Sequence, residues 1–481
     1  MNLSGFSLPF CAGNLEPIPC KKKSMRFSLI LLIFTFISGN ILAQNAEDSL
    51  FIRGIYDEAL EDGQAYENLR SLCKDIGARL SGSPEAEKAV WWGKDLLERS
   101  GFDSVYLMPV QVPHWIRGSK EIAGMALWNG KKKKLSIKTL GGSIGTRGKI
   151  KGEVVEVQGF EDIARLGQAG LAGKIVFFNR PMDAKLINTG AAYGGCVNQR
   201  VQGASEAAQF GAIAVIVRSM THHYDDEAHT GSVRYTAGMG KIPAVAVSID
   251  DADELSKALF LKQVKHLYLN INPQTLADKP SYNVIGEIRG NVNPEKVITV
   301  GGHLDSWDVG EGAHDDGAGV VHSIEALRIL KDRGYKPNNT LRVVLFINEE
   351  NGNNGGKRYA AVAEEKGEFH VAAIESDAGG FLPMGFTMDG PEANIAKMKS
   401  WEWLLKPYQL HLFKKGWGGV DIGPLKPQGV PLLGLRPDTQ RYFDFHHSDT
   451  DVFENVHKRE LELGCAAVAS MVYLIDKFGW E

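Results

Sequence analysis

The sequence has little cysteine and no excess of charge of one sign. Five cysteines occur among 481 residues, and those beyond the first twenty positions are Cys73, Cys196 and Cys465. These three allow one disulfide at most and show no CxxC spacing, which excludes a disulfide-stapled scaffold and a CxxC metal site. With 54 basic and 58 acidic residues the net charge is −4, which argues against nucleic acid as the main partner.

Long hydrophobic runs are also absent, except for one near the start. Three lysines and an arginine precede the apolar run 27–37, and small residues then lead to Ala43. A basic flank, a short apolar core and a small exit residue are typical of a secretory signal peptide. We therefore predict a leader over residues 1–43 and a secreted or periplasmic mature chain. The alternative, an N-terminal membrane anchor, is disfavoured because the run is short for a bilayer span, and we expect no stable span in the mature chain.

The remaining composition is that of a globular protein, with 43% hydrophobic and 23% charged residues. Residues 44–145 show helices and then strands, residues 146–276 hold short β-branched runs, and residues 277–481 alternate strands with amphipathic helices. Strand–helix alternation predicts an α/β fold with a mostly parallel mixed sheet flanked by helices. We predict that 44–145 and 277–481 form one discontinuous domain and that 146–276 is an inserted α/β domain.

Clusters of histidine and carboxylate follow successive predicted strands of the last stretch. They are His303-Leu304-Asp305, Asp315-Asp316, Glu349-Glu350, Asp377 and His446-His447. Because ligands of such sheets bind beyond the carboxyl ends of the strands, we expect these side chains to converge. Imidazole and carboxylate without thiolate suit Zn²⁺ or a similar divalent ion. Asp305, two residues after His303, is expected to hold the second nitrogen of that imidazole.

The charges of the cluster favour two ions over one. Asp315, Glu350 and Asp377 bring three negative charges, which two divalent cations and a bridging hydroxide would balance. A single ion would leave the cluster too acidic. Adjacent acids on an extended segment point opposite ways. One of Glu349 and Glu350 can therefore ligate a metal ion while the other faces the metal-bound water as general base.

The same motifs resemble the M28 class of co-catalytic zinc exopeptidases. They are Gly302-His303-Leu304-Asp305-Ser306-Trp307-Asp308, Asp315-Asp316-Gly317, Glu349-Glu350-Asn351-Gly352, Glu375-Ser376-Asp377-Ala378-Gly379, and His446-His447-Ser448 with Asp451. The tryptophan of the first motif and Pro113-His114-Trp115-Ile116-Arg117-Gly118 are similar to the carboxypeptidase Q branch of that family. The resemblance covers nearly all of the mature chain, and the segment 146–276 is similar to the protease-associated (PA) insert of the family.

The resemblance implies two Zn²⁺ per chain and a role for each site residue. Asp315 would bridge the ions, His303 and Asp377 would complete one site, Glu350 and His447 would complete the other, and Glu349 would be the general acid/base. His447 is preferred to His446 because it stands four residues before Asp451, as in the family pattern. The resemblance also implies a cis peptide bond between Asp315 and Asp316.

The activity implied by the resemblance is hydrolysis of dipeptides or short peptides at a free terminus. A peptide is then the substrate, and a homodimer is the implied assembly. An M28-type aminopeptidase is the alternative, with Asp421 as a candidate contact of the substrate ammonium, unless that residue only caps its loop. A non-catalytic, receptor-like binding protein is disfavoured because every ligand position and the base are intact. A single-zinc glutaminyl cyclase would be excluded by two equivalents of metal together with peptide hydrolysis.

Overall fold

The computed structural model describes residues 46–480. The chain divides into a short unit, Met1–Phe51, and a large compact unit, Ile52–Glu481. Of the short unit, residues 46–51 are described and are helical, so the predicted signal peptide lies outside the described residues. Over the described range, no helix combines the length and apolar character that a membrane crossing requires.

Among the described residues of the large unit, seventeen strands form three sheets. In chain order they are β1 Ser104–Ile116, β2 Glu121–Leu127, β3 Lys132–Leu135, β4 Ile137–Thr139, β5 Ile150–Gly152, β6 Val154–Val157, β7 Ile175–Phe178, β8 Ala214–Arg218, β9 Ala244–Val247, β10 Val264–Ile271, β11 Gln274–Ile288, β12 Asn293–His303, β13 Asn339–Phe346, β14 Phe369–Glu375, β15 Pro383–Asp389, β16 Leu412–Lys415 and β17 Leu432–Pro437.

Helices connect these strands. After a helical stretch that ends at residue 61, the α-helices are α1 Ala65–Ser71, α2 Pro84–Arg99, α3 Phe160–Leu171, α4 Thr189–Gly194, α5 Asn198–Val201, α6 Gly203–Ala208, α7 Ile249–Phe260, α8 Ala318–Asp332, α9 Asn354–Lys366, α10 Glu392–Ser400, α11 Glu402–Leu405, α12 Tyr442–Phe445 and α13 Lys458–Phe478. Single π-helical turns cover Leu72–Ile76 and Ala313–Gly317, and 3-10 turns cover Lys406–Tyr408, Gly423–Gln428 and Phe453–Asn455.

The largest sheet has eight strands in the order β1-β11-β13-β12-β14-β17-β15-β16. The four central strands β13, β12, β14 and β17 run parallel to one another. Antiparallel pairs join β1 to β11, β11 to β13 and β15 to β17. All residues of β13 are buried, as expected for a central strand covered on both faces. The predicted mixed, mostly parallel sheet is therefore confirmed.

Helices cover both faces of this sheet. Leu345 of β13 packs against α2 at Gly93, where an added Cβ would lie 2.7 Å from the leucine side chain. The next residue, Phe346, points to the opposite face and packs edge-on against Tyr359 of α9, with ring centroids 5.7 Å apart. The two-residue period of the strand thus supplies one side chain to each helical layer.

Two smaller sheets lie in the middle of the chain. One has five strands in the order β4-β9-β8-β7-β6, and the other has four in the order β3-β2-β10-β5. A shared apolar core that includes Phe177, Ile216 and Leu267 joins them. The strands β2 and β4 precede residue 146, yet they pair with β10 and β9 of the 146–276 segment. The predicted PA-like insert and its boundary at 146 stay predictions.

Candidate active site and metal centre

The strand-end clusters meet at the carboxyl edge of the central parallel strands. His303 is the last residue of β12, Glu350 follows β13, and Asp377 follows β14. His303 Nε2 lies 3.2 Å from Asp315 Oδ1 and 3.7 Å from Asp377 Oδ1. These three residues form one group whose ligand atoms all lie within 4.8 Å of one another. The structure thus brings together residues from three separate segments, as the strand-end argument predicts.

Asp315 also faces a second group on its other side. Its Oδ2 lies 3.3 Å from His447 Nε2 and 3.7 Å from His446 Nε2. His447 Nε2 is likewise 3.3 Å from Glu350 Oε2, and Trp307 N–H donates to Glu350 Oε1 at 3.1 Å. The two neighbouring imidazoles stack with centroids 3.5 Å apart. His447 contacts both carboxylates, which favours it over His446 as a ligand.

The spacing of these atoms suits a zinc ion. Zinc takes ligands at about 2.1 Å, which places tetrahedral ligand atoms about 3.4 Å from one another. The separations of 3.2–3.7 Å between the candidate ligand atoms of His303, Asp315, Asp377, His447 and Glu350 match that distance. Asp315 Oδ2 is moreover buried with no hydrogen-bond partner among the described residues. A metal ion between these atoms would give this buried oxygen the partner that it lacks.

The electrostatics of the cluster also call for a cation. Burial opposes a charged His303, but Asp315 and Asp377 raise the pKa of its imidazole well above the ordinary value. Burial, and then Asp315, raise the pKa of Glu350 well above its ordinary value. Burial likewise raises the pKa of Glu349, with Glu350 adding to the rise. Several buried carboxylates in one place are costly unless positive charge neutralises them.

The contact predicted between Asp305 and His303 is made by a different atom. His303 Nδ1 lies 2.9 Å from the main-chain oxygen of Asp305, whereas the Asp305 carboxylate is 4.0 Å away. A carbonyl only accepts, so Nδ1 donates, and Nε2 is the nitrogen turned towards Asp315 and Asp377, where it could ligate a metal ion. The carboxylate instead accepts the N–H of Glu349 at 3.0 Å. Asp305 therefore holds both the imidazole and the segment of the candidate base.

Further buried side chains hold the loops that carry these residues. Asp316 accepts the N–H groups of His303 and Gly319, both at 3.0 Å, and the peptide bond that precedes it is cis, as the resemblance implies. Arg79 is fully buried and donates to the carbonyl oxygens of Leu304 and Gly312 at 2.6 and 3.0 Å. No sequence motif marks Arg79 for this role, because its partners are main-chain atoms.

The middle segment of the chain also reaches the cluster. Arg200 Nη1 lies 3.4 Å from His447 Nδ1 and 3.4 Å from the oxygen of Thr230. Its guanidinium packs over the ring of Tyr193, 5.5 Å from the centroid. Arg200 is 6% exposed and its Nε is buried without a partner. Among the described residues, no carboxylate forms an ion pair with it, so a buried cation stands beside the site.

Asp421, the candidate contact for a substrate ammonium, is fully buried. Neither of its carboxylate oxygens has a hydrogen-bond partner in the described chain. Burial, followed by the neighbouring carboxylates of Glu375 and Glu349, raises its pKa well above the ordinary value. Both its burial and its raised pKa disfavour contact between this carboxyl and a substrate ammonium group, which weakens the aminopeptidase alternative.

Comparison with known proteins agrees with this geometry. The sequence model of Peptidase family M28 matches residues 283–472. Carboxypeptidase Q of Mus musculus is 36% identical over 413 residues, which span 86% of this chain and 85% of that protein. A peptidase M28 precursor from Shewanella amazonensis SB2B superposes with a TM-score of 0.85 at 32% identity, over 90% of this chain and 97% of that one.

A more distant structure shares the fold. An aminopeptidase from Aneurinibacillus sp. strain AM-1 superposes with a TM-score of 0.60 at 21% identity, over 88% of this chain and 95% of that one. The fold and the site define a metal-dependent peptidase with a parallel central sheet. The chain belongs to peptidase family M28. The predicted family and enzyme class, a zinc-dependent exopeptidase, are thereby confirmed.

Proposed function

We propose that this chain is a secreted, two-zinc exopeptidase that cleaves dipeptides or short peptides next to a free C-terminal carboxylate. The arrangement of Asp315 carries the proposal of two ions, because its oxygens face different imidazoles, Oδ1 towards His303 and Oδ2 towards His447. Asp377 would complete the first ligand set and Glu350 the second. Secretion rests on the predicted leader over residues 1–43, and a homodimer stays a prediction from the family resemblance.

Each site residue would have its own role in peptide hydrolysis. Zinc bound by these ligands would supply a Lewis acid for the scissile carbonyl and would lower the pKa of the attacking water. Glu349 takes the proton of that water and returns it to the leaving amine. The carboxylate of Asp305 keeps Glu349 in place by accepting the main-chain N–H of Glu349. The main-chain oxygen of Asp305 accepts from Nδ1 of His303 and so orients that imidazole.

Arg200 supports recognition of a carboxylate rather than an ammonium group. A buried guanidinium without a carboxylate partner is costly, and an incoming carboxylate would neutralise it. Because Arg200 Nη1 lies 3.4 Å from the imidazole of His447, a carboxylate bound there would place the last peptide bond close to the metal ligands. Cleavage at that bond is carboxypeptidase or dipeptidase activity, in keeping with the carboxypeptidase Q relatives.

Dipeptides blocked at either end test this proposal. We expect hydrolysis of N-acetylated dipeptides with a free C-terminus and little hydrolysis of C-amidated ones. Arg200→Gln should raise KM for free acids at least tenfold, while Arg234→Gln, an exposed arginine of the same middle segment, should leave KM unchanged. Cleavage of C-amidated peptides with N-acetylated ones left intact would support the aminopeptidase alternative and contradict the proposal.

A further inference from the structure

Four residues between β8 and β9 contact both segments of the proposed second metal site. We call His229–Ser232 the clamp. His229 Nδ1 lies 2.7 Å from the main-chain oxygen of His446, and Thr230 N–H donates to the main-chain oxygen of His447 at 2.9 Å. Ser232 Oγ donates to the main-chain oxygen of Glu350 at 2.6 Å. The clamp therefore ties together two ligand segments that are about a hundred residues apart in sequence.

The clamp also contacts the imidazole of His447 itself. Nδ1 of that ring lies 3.3 Å from the carbonyl oxygen of Thr230 and 3.4 Å from Nη1 of Arg200. These contacts turn the other nitrogen, Nε2, towards Asp315 and Glu350, at 3.3 Å each. Nε2 is therefore the nitrogen that would ligate a metal ion.

The backbone of the clamp is fixed in its own right. Thr230 is fully buried, and its hydroxyl donates to the main-chain oxygen of Thr139 at 2.8 Å. Gly231 has a φ of 127°, and an added Cβ would lie 2.4 Å from the guanidinium of Arg200. Only glycine fits there without displacing the arginine. The hydrogen bonds to the ligand segments thus come from a rigid segment.

We propose that the clamp is a positioning element for the second zinc ion, which it holds through Glu350 and His447 without touching it. The proposal rests on the ligand roles given above under the proposed function. Within the described residues, the clamp makes no hydrogen bond to His303 or Asp377. A defect in the clamp is therefore expected to weaken one metal site and to spare the other.

Zinc titration of the purified full chain against a competing chelator tests this. We expect two equivalents in the wild type. In His229→Leu, the second equivalent should bind about 10–100-fold more weakly, the range seen when partners of metal ligands are removed, while the first is unchanged. His229→Asn should restore the affinity, because its amide can donate to the same carbonyl. His223→Leu, with a side chain that is 57% exposed on the same segment, is the matched control.

A second variant acts at the other ligand segment. Ser232→Ala removes the hydroxyl that holds Glu350, so it should also weaken the second equivalent selectively, and Ser232→Thr should retain it. Thermal unfolding of the metal-free proteins should show the fold intact in every variant. The clamp proposal would be overturned if His229→Leu and Ser232→Ala bound both equivalents with wild-type affinity. It would also be overturned if the two equivalents were weakened equally. Fewer than two equivalents in the wild type would overturn the two-zinc function itself, and the clamp with it.

Discussion

The carboxylate of Asp451 holds the backbone of Asp315. Asp451 Oδ2 accepts the N–H of Asp315 at 3.1 Å, and Oδ1 accepts the N–H of the preceding His314 at 2.7 Å. Asp451 stands four residues after His447, so one loop supplies an imidazole and also the acceptors that orient the shared carboxylate. Because Asp315 faces both imidazoles, its orientation affects both proposed metal sites.

Replacing Asp451 should therefore weaken both zinc ions rather than one. We expect Asp451→Ala to lower the affinity of each equivalent by about 10–100-fold, because the loop that carries Asp315 loses two hydrogen bonds. Chelator competition measures this loss. Asp449→Ala, which removes a half-exposed carboxylate paired with Lys138, is the control on the same loop. Unchanged affinity in Asp451→Ala would show that Asp315 does not need this support.

Glu349→Gln should separate catalysis from metal binding. We expect turnover to fall by about 10²–10⁴-fold, the usual contribution of a general base, while the zinc content stays at the wild-type value. Asp315→Ala should lose metal as well as activity. Peptide hydrolysis and elemental analysis of the same preparations give both readouts. Turnover close to wild type in Glu349→Gln would contradict the assignment of the base.

Arg79→Met should destabilise the fold of the site loops. Arg79 donates to the carbonyl oxygens of Leu304, Glu311 and Gly312 at 2.6, 2.6 and 3.0 Å. Removing a charged donor from buried acceptors costs about 3–5 kcal/mol in total. Urea unfolding of the metal-free protein measures the loss. Arg99→Met, at an exposed position near the end of α2, should change the stability by less than about 0.5 kcal/mol.

Glu462 should make stability depend on pH. Burial, followed by the nearby Glu325, raises its pKa to about 7 from 4.5. The unfolded chain releases this proton near pH 4.5 and the native chain only near pH 7, so stability falls as pH rises through that window. Glu462→Gln should remove this fall, on the order of 3 kcal/mol. Urea unfolding between pH 4.5 and 7.5 tests it, with the exposed Glu365→Gln as control. A variant with the wild-type slope would contradict the prediction.

The central sheet and the gathering of the site residues follow from the sequence because both depend on local patterns. Buried β-branched runs mark β12, β13 and β14, and parallel strands place their carboxyl ends at one edge. The cap of α2 is equally local, since the Ser83 hydroxyl accepts the N–H of Ala86 at 3.0 Å and Pro84 opens the helix. Patterns of this kind involve residues a few positions apart.

The supporting contacts could not be predicted in the same way. The spacing of His303 and Asp305 suggests that the two interact, but it does not tell a main-chain oxygen from a carboxylate. Arg79 and the clamp residue Ser232 bind main-chain oxygens of residues more than a hundred positions away. Every residue has a main-chain carbonyl, so the sequence does not indicate which carbonyls accept these hydrogen bonds. These contacts come from the tertiary packing alone.

The zinc content of the purified mature chain shows whether Asp315 joins two metal sites. We expect two equivalents of zinc per chain in the wild type, and loss of both in Asp315→Ala because that carboxylate serves both ligand sets. A wild-type chain with a single equivalent, or an Asp315→Ala variant that keeps both, would contradict it.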